Sequence, residues 1–260
     1  MSSDHAPLLR YTVSGGVATI EIDHPTRLNA MTFEMWQELP RRLDEAERDD
    51  AVRVVLLRGA GSKAFSSGSD ISQFGERRST EAGITLWNDT VQVAARRLAA
   101  LRKPTIAWVQ GMCFGGGVGL AVHCDLRYAS ADAVFSIPAA KLGVAYYPSW
   151  LKRLSALTGP AHAKEIMYTA RRYDAEQAAQ IGLVNAVCDA ERVADVTQRM
   201  AGAAPLSLGA SKLAIDEAIE PGRHGLQACE DALRACFASQ DYTEGQAAFR
   251  EKRTPAFSGR

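Results

Sequence analysis

The sequence predicts an α/β core followed by a mainly helical C-terminal portion. Strand-like and helix-like patterns alternate from residue 8 to residue 129, whereas the patterns after residue 149 are helical only. Hydrophobic residues make up 47% of the 260, enough for a large buried core. Because alternation favours parallel strands joined by right-handed crossover helices, we expect a core over residues 1–200 and a helical region over residues 201–260.

Local patterns justify each predicted element. Alternation on both sides of Ser14-Gly15-Gly16 predicts a hairpin of strands 8–13 and 17–22. Thr32 caps a predicted helix that extends to residue 50, with a possible kink at Pro40. Further patterns predict strands over 52–58, 105–110 and 125–129, and helices over 81–101, 149–157, 160–168, 174–180, 190–203, 206–219, 225–239 and 241–253.

Composition excludes several classes of protein. Thirty Lys and Arg residues balance thirty Asp and Glu residues, so no overall field attracts nucleic acid or anionic lipid. No apolar run approaches the roughly 20 residues of a membrane-spanning helix. The first ten residues lack a signal-peptide pattern, so we expect a cytoplasmic protein. Five cysteines without a C-x-x-C pair and five scattered histidines predict neither a disulfide framework nor a metal site.

Two loops of small residues follow predicted strands. The first is Ala64-Phe65-Ser66-Ser67-Gly68-Ser69-Asp70-Ile71, and the second, 111–119, has five glycines in nine residues and leads into a helix. Such a turn presents free backbone N–H groups and a partial positive charge to an oxyanion or phosphate. The alternative is tight helix-to-sheet packing. The dinucleotide fingerprint, the Walker lysine and the G-x-S-x-G elbow are all absent.

Further motifs accompany these loops. His24-Pro25-Thr26-Arg27-Leu28-Asn29-Ala30 precedes them, and Phe135-Ser136-Ile137-Pro138, Leu142-Gly143 and the segment 178–184 follow. Together they resemble the crotonase superfamily, the enoyl-CoA hydratase/isomerase family, over essentially the whole chain. The resemblance implies a spiral of ββα units with a C-terminal helical trimerisation region, assembled as a homotrimer or a dimer of trimers.

The resemblance also implies a site for an acyl-CoA substrate, with no separate cofactor and no metal. The backbone N–H groups of Ser69 and Gly116 would form an oxyanion hole that stabilises a thioester enolate. The residues implied in binding coenzyme A or its acyl group are Arg27, Leu28, Ala30, Ser67, Gly68, Asp70, Ile71, Tyr147 and, from an adjacent subunit, Phe257.

The sequence departs from the family at two positions. Family hydratases carry catalytic glutamates where this chain has Gly119 and Ala139, so a general acid–base contribution of about 10²- to 10⁴-fold per group is absent from both. We therefore expect a lyase or isomerase rather than an efficient hydratase. Tyr146 matches a tyrosine of the family's methylmalonyl-CoA decarboxylases that would orient a substrate carboxylate, although their histidine is Ser69 here. In the alternative, Tyr146 and Tyr147 only shape an apolar pocket.

Other polar residues near these motifs have two interpretations. Asp70 is expected to bond the loop backbone rather than to catalyse, and His123 to be a core or interface histidine. Trp87 and Asn88 are candidates for lining the acyl pocket, whereas Trp108 and Trp150 are expected in the core. A loop rearrangement that brings in a carboxylate, from Glu76, Glu81 or Asp89, also stays open.

Three functional classes follow from the sequence. The favoured one is an acyl-CoA enzyme that stabilises a thioester enolate. The second is a noncatalytic acyl-CoA-binding subunit that retains the cleft without the chemistry. The third, an RNA-binding relative, is disfavoured because the net charge is zero.

Overall fold

The protein, in a computed structural model, is described over residues 8–260, so most of the N-terminal stretch used to predict localisation lies outside the described residues. The strands are β1 (Leu8–Ser14), β2 (Val17–Asp23), β3 (Val54–Gly59), β4 (Ala64–Ser66), β5 (Thr105–Val109), β6 (Met112–Phe114), β7 (Leu126–Ala129), β8 (Val134–Ser136), β9 (Tyr173–Asp174) and β10 (Ala186–Val187). The helices are α1 (Phe33–Arg48), α2 (Phe74–Arg77), α3 (Glu81–Ala99), α4 (Gly116–His123), α5 (Pro148–Thr169), α6 (Ala175–Gln180), α7 (Ala190–Ala201), α8 (Pro205–Ile219), α9 (Leu226–Phe237) and α10 (Gln240–Glu251).

The strands form two sheets. The first has the order β1-β2-β3-β5-β7-β10 and is parallel except for the β1-β2 hairpin. The second has the order β4-β6-β8-β9, in which only β9 is antiparallel to its neighbour. Each of three successive stretches, β3-β4-α3, β5-β6-α4 and β7-β8-α5, adds one strand to each sheet and then a helix. This repetition confirms the predicted spiral of ββα units.

Most predicted elements are present, with shifted ends. The hairpin is confirmed, and Thr32 caps α1 by accepting a hydrogen bond from the Met35 N–H. The second sheet was not predicted, because its strands of two or three residues are too short to show a periodic pattern. Two predicted helices, 149–157 and 160–168, form the single span α5, which breaks at Gly159 with a φ of 74°.

The core lies between the sheets and the helices packed on them. Trp36 of α1, Trp87 of α3 and Trp150 of α5 are each at most 1% exposed and belong to one continuous apolar cluster. Trp108 lies in a smaller cluster with Val193 of α7. The predicted burial of Trp108 and Trp150 is therefore confirmed.

Polar groups join the C-terminal helices to the core. Lys212 of α8 donates a 2.9 Å hydrogen bond to the Asp125 carboxylate, and the Arg223 guanidinium donates to the Ala99 carbonyl. Their apolar side chains are largely uncovered in this single chain, and the exposed ones are Ile215, Ile219, Leu226, Leu233, Phe237 and Phe249. The predicted domain boundary at residue 200 falls in the last turn of α7. Within residues 8–260, no helix is both long and apolar enough to cross a membrane.

Asn29 connects the turn after β2 to the chain between β3 and β4. Its backbone is left-handed, with a φ of 56°, a conformation that asparagine tolerates better than most residues. Its amide donates to the carbonyl oxygens of Ala60 and Ala64, and its Oδ1 accepts from the His24 N–H. Three backbone groups therefore depend on one buried side chain.

We expect Asn29→Ala to lower the free energy of unfolding by about 3 kcal/mol, because the substitution leaves three backbone groups without a partner at roughly 1 kcal/mol each. Urea denaturation measures the change. Asn185→Ala is the matched control, since the Asn185 side chain accepts a single backbone N–H, from Arg127. Equal losses for the two variants would contradict the role given to Asn29.

Candidate active site

Strand pairing brings the two small-residue loops together. β4 and β6 are parallel neighbours with Ser66 paired to Cys113, so the loops that follow them leave the same edge of the sheet. We call residues 67–70 the first loop and Gly115-Gly116, which leads into α4, the second loop.

A backbone bridge fixes the first loop. The Met31 N–H donates to the Gly68 carbonyl at 2.7 Å, and the Asp70 N–H donates to the Met31 carbonyl at 2.9 Å. In such a parallel bridge the flanking residues make the bonds, so the N–H of Ser69 points away from Met31. No acceptor for the Ser69 N–H is present within residues 8–260. The group is therefore available to a ligand.

The second loop lies directly against the first. A Cβ on Gly68, whose φ is 104°, would lie 3.1 Å from the Gly116 nitrogen, and a Cβ on Gly116 would lie 3.3 Å from the Ser69 nitrogen. Gly116 is the first residue of α4, so its N–H is one of those that a helix leaves without an intrahelical acceptor. The structure thus brings together the two predicted donors.

Packing and backbone conformation both account for the glycines. A Cβ on Gly117 would lie 2.4 Å from the Ser66 carbonyl oxygen, so close packing requires glycine there. Apart from its chain neighbours, no described residue has an atom within 4 Å of a Cβ built on Gly115, but Gly115 adopts φ 48° and ψ −115°, which only glycine tolerates readily. Close packing therefore accounts for the glycine at residue 117, and backbone conformation accounts for the glycine at residue 115.

Ser69 and Gly116 both line a cleft of about 540 Å³, which we call the glycine-loop cleft. Trp87 and Asn88 of α3, the candidates for lining an acyl pocket, line this cleft. The other predicted residues that line it are Ser67, Gly68, Ser69, Ile71, Gly116, Ala139, Tyr146 and Tyr147. The predicted residues outside its lining are Arg27, Leu28, Ala30, Asp70, Gly119 and Phe257.

Arg27 and Leu28 contact the first loop through their carbonyls, whereas the Ala30 carbonyl contacts His24. The carbonyls of Arg27 and Leu28 accept hydrogen bonds from the Ser67 hydroxyl and N–H, and the Ala30 carbonyl lies 2.9 Å from Nδ1 of His24. They therefore act through the backbone in this structure.

Asp70 and Phe257 both lie against residues that are close to them in sequence. The Asp70 carboxylate accepts from the N–H and the hydroxyl of Ser72, as expected of a residue that bonds the loop. The Phe257 ring is half-buried in the C-terminal tail, near Gly245 of α10.

Both tyrosines use their hydroxyl groups as donors. Tyr146 donates to the Gly115 carbonyl at 2.9 Å, and Tyr147 donates to Oδ1 of Asn88 at 3.0 Å. Burial raises the pKa of the Tyr146 hydroxyl well above its usual value and that of Tyr147 to about 12. Both phenols are therefore neutral at physiological pH and unsuited to act as bases.

Trp150 occupies the space beside Gly119. A Cβ on Gly119 would lie only 1.7 Å from the nearest carbon of the Trp150 ring. Tyr146, Tyr147 and His123 surround the same ring, with centroids 5.0 to 5.4 Å from it. A side chain at residue 119 is therefore incompatible with this position of Trp150. Sequence reasoning placed Trp150 in the core but missed this contact, which joins two segments 31 residues apart.

His123 is a core residue. Its Nδ1 donates to the Gly119 carbonyl at 2.6 Å, and burial lowers its pKa to about 3. The ring is therefore neutral at physiological pH and does not line the glycine-loop cleft.

No carboxylate lines the glycine-loop cleft in the part of the chain that is described. Glu81 and Asp89 face a shallow depression on α3, and Glu76 is exposed on α2. In this structure all three therefore lie outside the cleft lining. Residues 8–260 also contain no group of three or more His, Cys, Asp or Glu residues placed to hold a metal ion.

A second cleft, of about 860 Å³, lies where β3 and β5 begin, between Lys103 and helix α8. It shares no lining residue with the glycine-loop cleft. Some of its ionic groups pair with one another, as in the contact of Arg102 with Glu47.

Comparison with known proteins identifies close relatives. Residues 12–260 match the family described as enoyl-CoA hydratase/isomerase. A short-chain-enoyl-CoA hydratase from Clostridium acetobutylicum is 36% identical, over 92% of this chain and 93% of the relative. A peroxisomal Δ(3,5)-Δ(2,4)-dienoyl-CoA isomerase from Arabidopsis thaliana is 30% identical, over 96% of each.

A solved structure is also similar to this chain over nearly its full length. The crystal structure of an enoyl-CoA hydratase/carnithine racemase from Magnetospirillum magneticum superposes with a TM-score of 0.93 at 32% identity. The match covers 98% of this chain and 97% of that one.

We expect Gly119→Ala to lower the free energy of unfolding by about 1–3 kcal/mol, because the added methyl group overlaps the Trp150 ring. In a Trp150→Leu background the same substitution should cost less, which a double-mutant cycle measures. Gly75→Ala is the control, since a Cβ at Gly75 meets no atom within 4 Å. If Gly119→Ala and Gly75→Ala lowered the free energy of unfolding equally, the overlap with the Trp150 ring would be unimportant.

We also expect His123 to make stability depend on pH. The unfolded histidine binds a proton near pH 6.5, whereas the folded one stays neutral to about pH 3. Stability should therefore fall below pH 6.5 by up to about 1.4 kcal/mol per pH unit more in the wild type than in His123→Asn. Urea denaturation at several pH values measures this difference. His162→Asn, at a half-exposed histidine, should follow the wild type; parallel wild-type and His123→Asn curves would contradict the assignment.

Proposed function

The chain belongs to the enoyl-CoA hydratase/isomerase family, and on that premise we propose that it stabilises a thioester enolate between the backbone N–H groups of Ser69 and Gly116. The observation that carries the proposal is the contact of the two loops, which places both donors on one cleft. A thioester carbonyl bound there would gain negative charge on its oxygen as the enolate forms. Two fixed N–H donors stabilise that charge by a few kcal/mol each.

Two features reinforce the Gly116 donor. It opens an eight-residue helix, α4, whose dipole places partial positive charge at that end. The Tyr146 hydroxyl donates to the carbonyl of Gly115, which belongs to the same peptide unit as the Gly116 N–H. A hydrogen bond to the carbonyl polarises the whole unit and makes its N–H a better donor. We propose that Tyr146 acts in this way, through the second loop.

The lining of the cleft favours a lyase or isomerase over a hydratase that uses two glutamates. Ala139 contributes only a methyl group, and Trp150 fills the space next to Gly119. Among the related proteins, one is named an isomerase and others are named hydratases. A decarboxylase-like lyase fits this lining, because loss of carbon dioxide generates the enolate without a strong base.

We propose that coenzyme A lies along the first loop, over the segment that includes Arg27, Leu28 and Ala30, with Ser67, Gly68, Asp70 and Ile71. A homotrimer or dimer of trimers would bring Phe257 of an adjacent copy to the nucleotide. The exposed apolar side chains of α8, α9 and α10 support such an assembly, because burying them is favourable.

A noncatalytic acyl-CoA-binding subunit is the second candidate. The observation that favours it is the lining of the cleft, where only the two tyrosines and Arg78 carry titratable groups in the described chain. Such a protein would bind coenzyme A thioesters without changing them.

Incubation in D₂O with 2-enoyl, 3-enoyl, saturated and malonyl-type CoA thioesters, followed by mass spectrometry, tests the proposal. We expect deuterium uptake, a double-bond shift or loss of carbon dioxide with at least one thioester. Rapid addition of water to crotonyl-CoA would contradict the expected lack of efficient hydration. Binding of coenzyme A without change in any thioester would favour the noncatalytic subunit.

Gly116→Pro tests the oxyanion hole directly. Proline is tolerated at the first position of a helix and has no N–H, so this variant removes one donor. Gly116→Ala adds a Cβ but retains the N–H and is the matched control. We expect turnover of the proline variant to fall about 10²- to 10³-fold below that of the alanine variant. Equal turnover in the two variants, both shown to be folded by their melting temperatures, would exclude the Gly116 N–H as a donor.

A further inference from the structure

Arg78 is the one charged side chain among the described residues that line the glycine-loop cleft. It follows α2, and its guanidinium lies over the ring of Phe74, 4.4 Å from the centroid. No carboxylate within residues 8–260 forms an ion pair with it, whereas its neighbour Arg77 pairs with Glu34. The cleft therefore contains a positive charge that the protein does not neutralise.

Two polar side chains share this part of the cleft. The Tyr147 hydroxyl donates to Oδ1 of Asn88, which fixes the orientation of the amide and leaves its N–H₂ group without an acceptor in the described chain. Burial raises the pKa of the Tyr147 hydroxyl, and the positive charge of Arg78 opposes that rise, while Asp89 adds to it. Asp89 is exposed and is not part of the cleft lining.

The surroundings of these groups are apolar. Trp150 and Tyr146 lie beside Tyr147, and Ile84, Trp87 and Val91 of α3 complete the same wall. A guanidinium in such surroundings gains more from an anion than it would in open water, and its planar donors match a carboxylate. A ligand that suits this cleft has an apolar body and one anionic end.

We propose that Arg78, with the amide of Asn88, binds a carboxylate at the far end of the acyl group, so that the preferred ligand is the coenzyme A thioester of a dicarboxylic acid. This inference rests on the proposed function, in which the cleft holds a CoA thioester. The phosphates of coenzyme A are a second source of negative charge for a guanidinium. The two sources of negative charge differ in one respect: every CoA thioester has the phosphates, but only some acyl groups have a carboxylate.

Calorimetric titration of the full chain with matched ligands tests the inference. Succinyl-CoA and glutaryl-CoA are compared with butyryl-CoA and valeryl-CoA, which have the same carbon counts without the carboxylate, and with coenzyme A alone. We expect the wild type to bind at least one carboxylated thioester about 10- to 100-fold more tightly than its neutral counterpart. The preference should shrink as salt concentration rises.

Substitutions test whether Arg78 causes the preference for carboxylated thioesters. Arg78→Met should remove the preference and leave the affinity for the neutral thioesters and coenzyme A unchanged. Arg78→Lys retains the charge but loses the planar donors, so it should retain part of the preference for carboxylated thioesters. Arg77→Met is the matched control, because Arg77 is next in sequence but does not line the cleft. Melting temperatures establish that all variants are folded.

Two results would overturn the inference while leaving the proposed function intact. One is equal affinity of the wild type for carboxylated and neutral thioesters. The other is a uniform loss of affinity in Arg78→Met for coenzyme A and every thioester, which would assign Arg78 to the phosphates. Failure of the wild type to bind any CoA thioester would overturn the proposed function as well.

Discussion

The site depends on the close approach of two backbones. Parallel pairing of β4 with β6 brings the chain after Ser66 against the start of α4, and a Cβ on Gly117 would lie 2.4 Å from the Ser66 carbonyl oxygen. Glycine at residues 68, 116 and 117 permits this contact, and the contact in turn holds the N–H groups of Ser69 and Gly116 side by side. The bridge from Met31 fixes the first loop from the other side, and the side chain of Asn29 bonds the Ala64 carbonyl in the strand that leads to it. These contacts together fix the backbone that carries the two N–H groups.

The sequence was sufficient to predict the α/β class, the hairpin, most helices and the two loops. These features depend on local patterns, such as the glycines at residues 111–119, that a single segment displays. Prediction of Ser69 and Gly116 as donors came from the resemblance to a family, because backbone N–H groups leave no mark on side-chain composition. The spiral repeat was not visible in the sequence, since its units differ in length: β3 begins at Val54, β5 at Thr105 and β7 at Leu126.

What the sequence could not reveal depends on contacts between distant segments. The short strands of the second sheet are stable only through their neighbours, and α4 begins at Gly116 despite the low helix propensity of glycine. Asn88 and Tyr147 are 59 residues apart, and only the fold shows that they share a hydrogen bond. Likewise, only the fold shows that Arg78 lies on the wall of a cleft that no carboxylate of residues 8–260 lines. Tertiary packing, rather than local propensity, decides each of these features.

The contact of Gly119 with Trp150 has a consequence for how this protein can evolve. Any side chain at residue 119 requires the indole to move or to be replaced first, while loss of the indole alone leaves a void among three aromatic rings. Either substitution, made alone, is therefore expected to lower the stability of the protein. Descendants of this chain would reach a side chain at residue 119 only by a path in which the order of substitutions matters, so the aromatic pocket restricts the lineage to chemistry that works without one.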